Sequence, residues 1–516
     1  MSQFPRSPVF RNKTYLIFLI VVLVKIFIFA WMAHFGFPRT TGDALVLQQP
    51  AYMHLFHGHF SVPTAQWRVP YTDITFGAYP PGYTLVSLFV FKLFGFQMQS
   101  MVILDLVVHL LLSISIAVAL LLVFRSTLVA GTFLLASSFL IIPRGRPEEL
   151  AALLTCAVVF VAIKNRSVPL VGFLLGLVFT VHPVPGVIAF IILVWIDLFR
   201  HRKLGQVALR SSLLLAMAFG TLAIIWIATV YPNLREAVDQ FLEHRKYRYT
   251  PNVIEMFTGF PIASLTLFIT LAISISGAIS RISIRRMTDQ LSPAASSVLW
   301  FLATCLPILV LVHLVFKSPA YYYRLVSYIA LAGSIALLTI FFSVSPGMRS
   351  LPRNILRFSR IILCITLLVA NADIVRYVLL PFSWTSENCT YQDALETVRK
   401  TVPKDATVGG DPILWWTIND GRPYYYASGW YQGSEPLDYV LSGTFWKDGG
   451  KPNILLDPVW EDLLNNSYEE IGNLKRSPGP PILSIAGLKI PLSRTSSDWS
   501  VRIWKRKGTG LSPSKP

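Results

Sequence analysis

Charge is what this chain has least of. Of its 516 residues only 14% are Asp, Glu, Lys or Arg, against about 25% in soluble proteins, while 53% are apolar. So little charge excludes an ordinary water-soluble class, and repeated apolar runs of roughly 17–25 residues match the thickness of a bilayer's hydrocarbon core. Cysteine is nearly as scarce, with four in all. Cys156, Cys305 and Cys364 fall in apolar runs, where a thiol packs as a small hydrophobe. Cys389 is alone in the polar tail, which excludes a disulfide within that tail. No Cys/His grouping has zinc spacing. Acidic residues are short as well, 27 against 45 basic, for a net charge of +18. That excess is not a nucleic-acid footprint. From residue 384 onward 15 basic residues meet 15 acidic ones, so the imbalance, 30 against 12, lies wholly among the apolar runs. This is the positive-inside pattern of a membrane protein. The first run, about 15–35, is too long for a signal-peptide core, and no small-residue cleavage site follows it.

What is present reads as a polytopic α-helical membrane protein. Spans are expected near 15–35, 101–124, 127–143, 149–163, 167–181, 185–199, 209–231, 258–280, 296–316, 322–343 and 355–381. The run 82–96 is short for a core of about 30 Å and carries Lys92. Leaving it out of the count puts 17 basic residues on one side, from Arg6 and Arg11 through Arg200 and Arg202 to Arg357 and Arg360, against one acid, Asp289. That bias orients the chain. The expected architecture has about 11 transmembrane helices, a cytoplasmic N-terminus, a membrane domain at 1–383 with an external loop at 38–100, and a small α/β extracytoplasmic domain at 384–516. In that last part, strand-like runs at 407–409, 481–485 and 499–504 flank helical patches such as 393–399, with frequent Gly/Pro/Asn turns. No repeat of fixed period is visible.

Three clusters of polar residues fall on the external side. Asp43 follows the first span, at the start of a run, 42–57, that reads as an amphipathic surface helix. It is either a cap for that helix or a base held at the membrane surface. The stretch 143–149 holds Arg144, Arg146, Glu148 and Glu149. It is either a self-neutralising turn or a guanidinium site for phosphate with carboxylates to orient it. The stretch 317–324 holds Lys317, Tyr322 and Arg324, which form an aromatic belt or a cationic site at head-group depth. His182, at a helix end, faces the same side. Within the spans, Lys25 with Asp105, and Asp373 with Arg376, read as neutralising pairs.

The order of these parts carries a resemblance. Asp43 comes first, then Tyr79-Pro80-Pro81-Gly82-Tyr83, then Arg144-Gly145-Arg146-Pro147-Glu148-Glu149, then a late Tyr322-Tyr323-Arg324 before an apolar helix. Over about residues 10–345 this resembles the GT-C glycosyltransferases that use polyprenyl-phosphate sugars, among them protein O-mannosyltransferases and lipid A aminoarabinose transferases. The resemblance implies that Asp43 is the catalytic base and that Tyr79, Pro80 and Pro81 form the family's His/Tyr-Pro-Pro turn. It further implies that Arg144, Arg146, Glu148 and Glu149 form its second external loop, and that Tyr322–Arg324 matches the turn near the donor phosphate. The chain departs from the pattern in lacking prolines after the late turn and in carrying two glutamates where one aspartate is common. The implied reaction moves a sugar, with inversion, from a polyprenyl-phosphate donor to a hydroxyl of a lipid, glycan or protein acceptor at the outer or lumenal face. No cofactor is required and a divalent metal is possible. The implied location is a bacterial inner or plasma membrane, or the endoplasmic reticulum membrane in a eukaryote. The alternatives are a multi-span transporter or flippase, and a scaffold whose external domain recruits partners.

Overall fold

A computed structural model describes residues 42–65, 70–124, 145–164, 167–200, 204–246, 391–426, 436–445, 458–476, 482–485, 488–491 and 499–508, with isolated positions between 16 and 30 and between 130 and 137. The described residues are mostly helical, with a small sheet near the C-terminal end. The expected spans beyond residue 246 lie outside them, so the count of eleven does too.

Helix α1 (Gly42–His57) starts at the predicted place but has a different character. Its middle, Leu45, Gln48, Gln49, Ala51 and Tyr52, is completely or almost completely buried. It is therefore a packed central helix rather than an amphipathic surface one, because protein rather than solvent covers its flanks. Asp43 falls in its first turn, at the positive end of the helix macrodipole. Helix α2 (Gly82–Phe94) has 13 residues, a rise of about 20 Å, too short to cross a core of about 30 Å. It begins after Pro81, which presets φ for the turn, and ends at Gly95, whose φ of +81° suits glycine.

Helix α3 (Met98–Phe124) runs directly from that corner. A bundle follows: α4 (Glu148–Lys164), α5 (Val168–Val181), α6 (Pro183–Arg200) and α7 (Leu204–Val230). Helix α5 packs on all three of the others. Gly172 and Gly176, four apart on one face, let it approach α7 closely, because a Cβ on Gly172 would lie 2.7 Å from Met217 Cβ and one on Gly176 2.5 Å from Thr221 Cβ. This is how small residues join membrane helices. Asp197 and Arg210 pair at 2.8 Å between α6 and α7, which neutralises both charges. Among the described residues, α3 and α7 are long and apolar enough to cross a membrane. On α7, Leu209 and Ile224 are 65% and 71% exposed. Such a surface on a 27-residue helix is of the kind a bilayer covers. Helix α8 (Leu234–Lys246) follows α7 directly.

Near the C-terminal end lie α9 (Tyr391–Thr401), strands β1 (Val408–Gly410), β2 (Tyr424–Tyr426) and β3 (Tyr439–Phe445), helix α10 (Pro458–Ser467), and strands β4 (Tyr468–Arg476), β5 (Ile482–Ile485), β6 (Leu488–Pro491) and β7 (Trp499–Arg506). The main sheet has the order β2-β1-β3-β7-β4. β1 runs parallel to both neighbours, and β7 runs antiparallel to β3 and β4. β5 and β6 form a separate hairpin. One hydrophobic core extends from this unit into α1 and α2, joining Trp415, Trp416, Leu441 and Ile503 to Tyr52, Tyr83 and Phe91. Polar contacts seal the same seam. Tyr52 Oη accepts the Gly421 N–H at 2.9 Å and donates to the Arg422 carbonyl at 3.1 Å. Gln49 donates to the Tyr424 carbonyl at 2.8 Å, and His57 Nε2 to that of Gly421 at 2.7 Å.

Candidate active site

The site is built around the peptide of Gly145. Its φ of +62° is a left-handed conformation that costs any other L-residue energy. Both ends of the residue are held. Gln48 of α1 donates Nε2–H to the Gly145 carbonyl at 2.7 Å, and the Gly145 N–H donates to Asp105 Oδ2 of α3 at 3.0 Å. A Cβ at position 145 would lie 2.2 Å from Gln48 Nε2 and 3.7 Å from Ala44 Cβ. The first turn of α1, which carries Asp43, therefore abuts the loop that holds Gly145 and Arg146.

The next residue, Arg146, turns inward. Its Nε donates to Glu148 Oε1 at 2.9 Å, and the two side chains are only 9% and 4% exposed. A buried carboxylate on one edge of a guanidinium fixes the plane of the group and compensates its charge. Glu148 opens α4, where the macrodipole favours an anion. Glu149 is half-buried beside it.

His182 closes the cluster from the α5–α6 corner. Val184 N–H donates to its Nδ1 at 3.2 Å, which leaves the ring proton on Nε2. Burial pulls the imidazole down from 6.5 to about 4; Glu148 opposes the shift and Arg146 adds to it. His182 is thus a neutral hydrogen-bonding group at pH 7, within electrostatic reach of the Arg146–Glu148 pair. Tyr83 stands on the other flank, its Oη 3.4 Å from Gln48 Nε2. Burial first, then the Asp105 carboxylate, pushes its phenol well above the ordinary value, so it stays protonated.

The Tyr-Pro-Pro turn is wedged behind this group. A Cβ on Gly82 would lie 2.7 Å from the Thr180 carbonyl carbon and oxygen at the end of α5, so the close approach requires glycine. Thr84 Oγ1 donates to the Leu47 carbonyl of α1 at 3.0 Å. Pro80 is half-buried and Pro81 buried in this corner. The Tyr79 ring turns the other way, against His244 of α8 at 4.6 Å between centroids.

Of the residues singled out in the sequence, the fold thus gathers the first turn of α1, Arg146, Glu148, Glu149 and His182. The Asp43 side chain, Arg144, Lys317, Tyr322 and Arg324 lie outside the described residues. Asp105 accepts the Gly145 N–H; its expected partner Lys25 lies outside the described residues. Gln48 and Tyr83 were not singled out. The available signal for Gln48 was a Gln-Gln pair inside an otherwise apolar helix, and for Tyr83 its place in the Pro-Pro-Gly-Tyr turn. Among the described residues no three His, Cys, Asp or Glu side chains group as metal ligands.

No protein-family model and no curated protein matches the chain. Among solved structures it is similar to ArnT from Cupriavidus metallidurans in a crystal structure bound to undecaprenyl phosphate, over 94% of this chain and 97% of that one, with a TM-score of 0.50 and 11% identity. The chain has an ArnT-like fold. The likeness runs through the bundle and the sheet unit alike, so the GT-C resemblance read from the motif order holds at the level of the whole fold. At 11% identity the comparison speaks to the path of the chain and not to the role of any side chain.

Proposed function

We propose that this GT-C protein is a membrane glycosyltransferase that moves a sugar from a polyprenyl-phosphate donor to an acceptor hydroxyl at the membrane surface, with Asp43 as general base. One observation carries the reading: Gln48 and Ala44 of α1 press on Gly145, which brings the helix turn of the only acid in the first loop's opening stretch against the loop of the buried Arg146–Glu148 pair. The ArnT neighbour was crystallised with undecaprenyl phosphate, which supports a lipid-phosphate ligand for the fold.

The chemistry then follows from the leaving group. A sugar on a lipid monophosphate departs without a general acid, so the acceptor oxygen needs a base and the released phosphate needs cations. The acceptor hydroxyl attacks the anomeric carbon and loses its proton to Asp43. The bond from that carbon to the phosphate oxygen breaks with its electrons going to the lipid phosphate, and the anomeric centre inverts. Arg146 is held to meet that phosphate, with Arg144, Lys317 and Arg324 as further candidate ligands. The neutral His182 presents an N–H donor beside it. Glu148 orients Arg146, and Glu149 is the candidate to bind the acceptor. This scheme calls for no metal.

The test is turnover of radiolabelled sugar-lipid by the full-length protein in vesicles. Asp43→Asn keeps size but not basicity, and general-base loss costs about 10²–10⁴ in rate, with donor binding retained. Wild-type turnover in that variant would remove the proposal.

A further inference from the structure

Asp105 is the only acid in helix α3. It is buried, inside the stretch Met98–Leu121 that is long and apolar enough to cross a membrane. An acid in such a place is expensive to keep and points to function. One turn on, His109 is fully buried, and Ser113 Oγ lies 3.1 Å from its Nε2. This face of α3 therefore carries a polar stripe that begins at the Gly145 loop.

Glycine permits the left-handed turn at position 145 but does not choose it, since glycine takes positive and negative φ about equally well. Two hydrogen bonds select φ +62°. Asp105 Oδ2 holds the N–H ahead of the Gly145 Cα, and Gln48 Nε2 holds the carbonyl behind it. The peptide planes on either side are rigid, so bonds at both ends fix the two torsions between them. The backbone nitrogen of Arg146 belongs to the plane that Gln48 holds. The clamp thus sets the direction in which Arg146 leaves the loop, the direction that brings its Nε to 2.9 Å from Glu148 Oε1.

We propose that Asp105 is a positioning residue of the site: by accepting the Gly145 N–H it selects the left-handed turn, and the turn aims Arg146 at the lipid phosphate. The proposal rests on the glycosyl-transfer reading for the identity of that ligand. Asp105 serves as an acceptor and not as a proton carrier, so an amide of the same shape should replace it.

The first test measures binding of undecaprenyl phosphate to the purified full-length protein, with undecaprenol as the phosphate-free control. Asp105→Leu keeps the size and removes the acceptor. Loss of a hydrogen bond of this kind corresponds to about tenfold in affinity or more, and phosphate-dependent binding should weaken by that factor. Asp105→Asn should bind like the wild type. In an Arg146→Ala background Asp105→Leu should add nothing, because both changes remove one interaction. A further loss in that background would overturn the proposal by showing general damage, and so would an Asn variant as weak as the Leu one. The second test needs no donor. Phenylglyoxal, which modifies accessible guanidinium groups, should spare Arg146 in the wild type and in Asp105→Asn and modify it in Asp105→Leu; protection in all three would overturn the clamp. Normal undecaprenyl phosphate binding by Arg146→Ala would remove the lipid-phosphate reading instead, and the modification pattern then decides the clamp. Gln48→Met breaks the other bond and should repeat both results if Asp105→Leu does not fold.

Discussion

Gly58 and Gly145 share a left-handed backbone, at φ +78° and +62°, and differ in what surrounds them. A Cβ on Gly58 meets nothing within 4 Å, whereas one on Gly145 collides with Gln48. Gly58→Ala should therefore cost only the conformational strain, about 1–2 kcal/mol, and leave turnover intact. Gly145→Ala should add displacement of Gln48 and lower turnover beyond what its thermal midpoint explains. Parallel midpoint and rate measurements separate the two. His182 gives a pH test. Its folded pKa of about 4 lies below the ordinary 6.5, so between those values the unfolded chain holds the extra proton. The stability contribution is fully present above pH 6.5 and is lost as pH falls toward 4. The thermal midpoint in vesicles should decline through that window, and His182→Asn should flatten the decline. At this scale the sequence was informative about charge and silent about backbone. Arg146, Glu148 and His182 announce themselves as ionisable groups at helix ends. Nothing in the letters Arg-Gly-Arg says that the glycine between them is clasped by a glutamine 97 residues earlier.

Elements were more legible. Hydropathy placed α3 to α7 within a few residues of where they lie, because lipid demands length and apolarity in one run. The short α2 was read as non-crossing from the charge bias, and its 13 residues are fewer than a span needs. Helix α1 was placed correctly and misjudged in kind: periodicity reports that a helix buries one face, but not that another element covers the rest. The α5–α7 contact is the element-level weak point. Gly176→Val inserts a branched side chain where Thr221 and the Ala218 carbonyl already sit within 3 Å. Overpacking of this kind costs about 1–3 kcal/mol. The loss should appear as a lower unfolding midpoint, while Gly220→Val on the lipid-facing side of α7, with nothing within 4 Å of its Cβ, should be mild.

For the whole molecule, adjacent residues of α1 hold opposite ends of the chain together, Gln48 the Gly145 loop and Gln49 the Tyr424 strand. Loop and sheet unit therefore share one side of the molecule, and the prediction is that the far end of α4 lies across the membrane from them. An impermeant thiol reagent applied to sealed vesicles, in a background without native cysteines, should label Asn419→Cys from one side and Lys164→Cys only from the opposite side; labelling of both from the same side would contradict this arrangement. The Gln49–Tyr424 bond also spans 375 residues of sequence, and this bears on synthesis. Helix α1 leaves the ribosome early, whereas Trp415, Gly421 and Arg422, which pack on or bond to Tyr52, are made about 370 residues later. Until the segment from Trp415 to Tyr424 is made, that face of α1 has no cover. Chains that stop short of residue 412 should then accumulate as substrates for quality-control proteases.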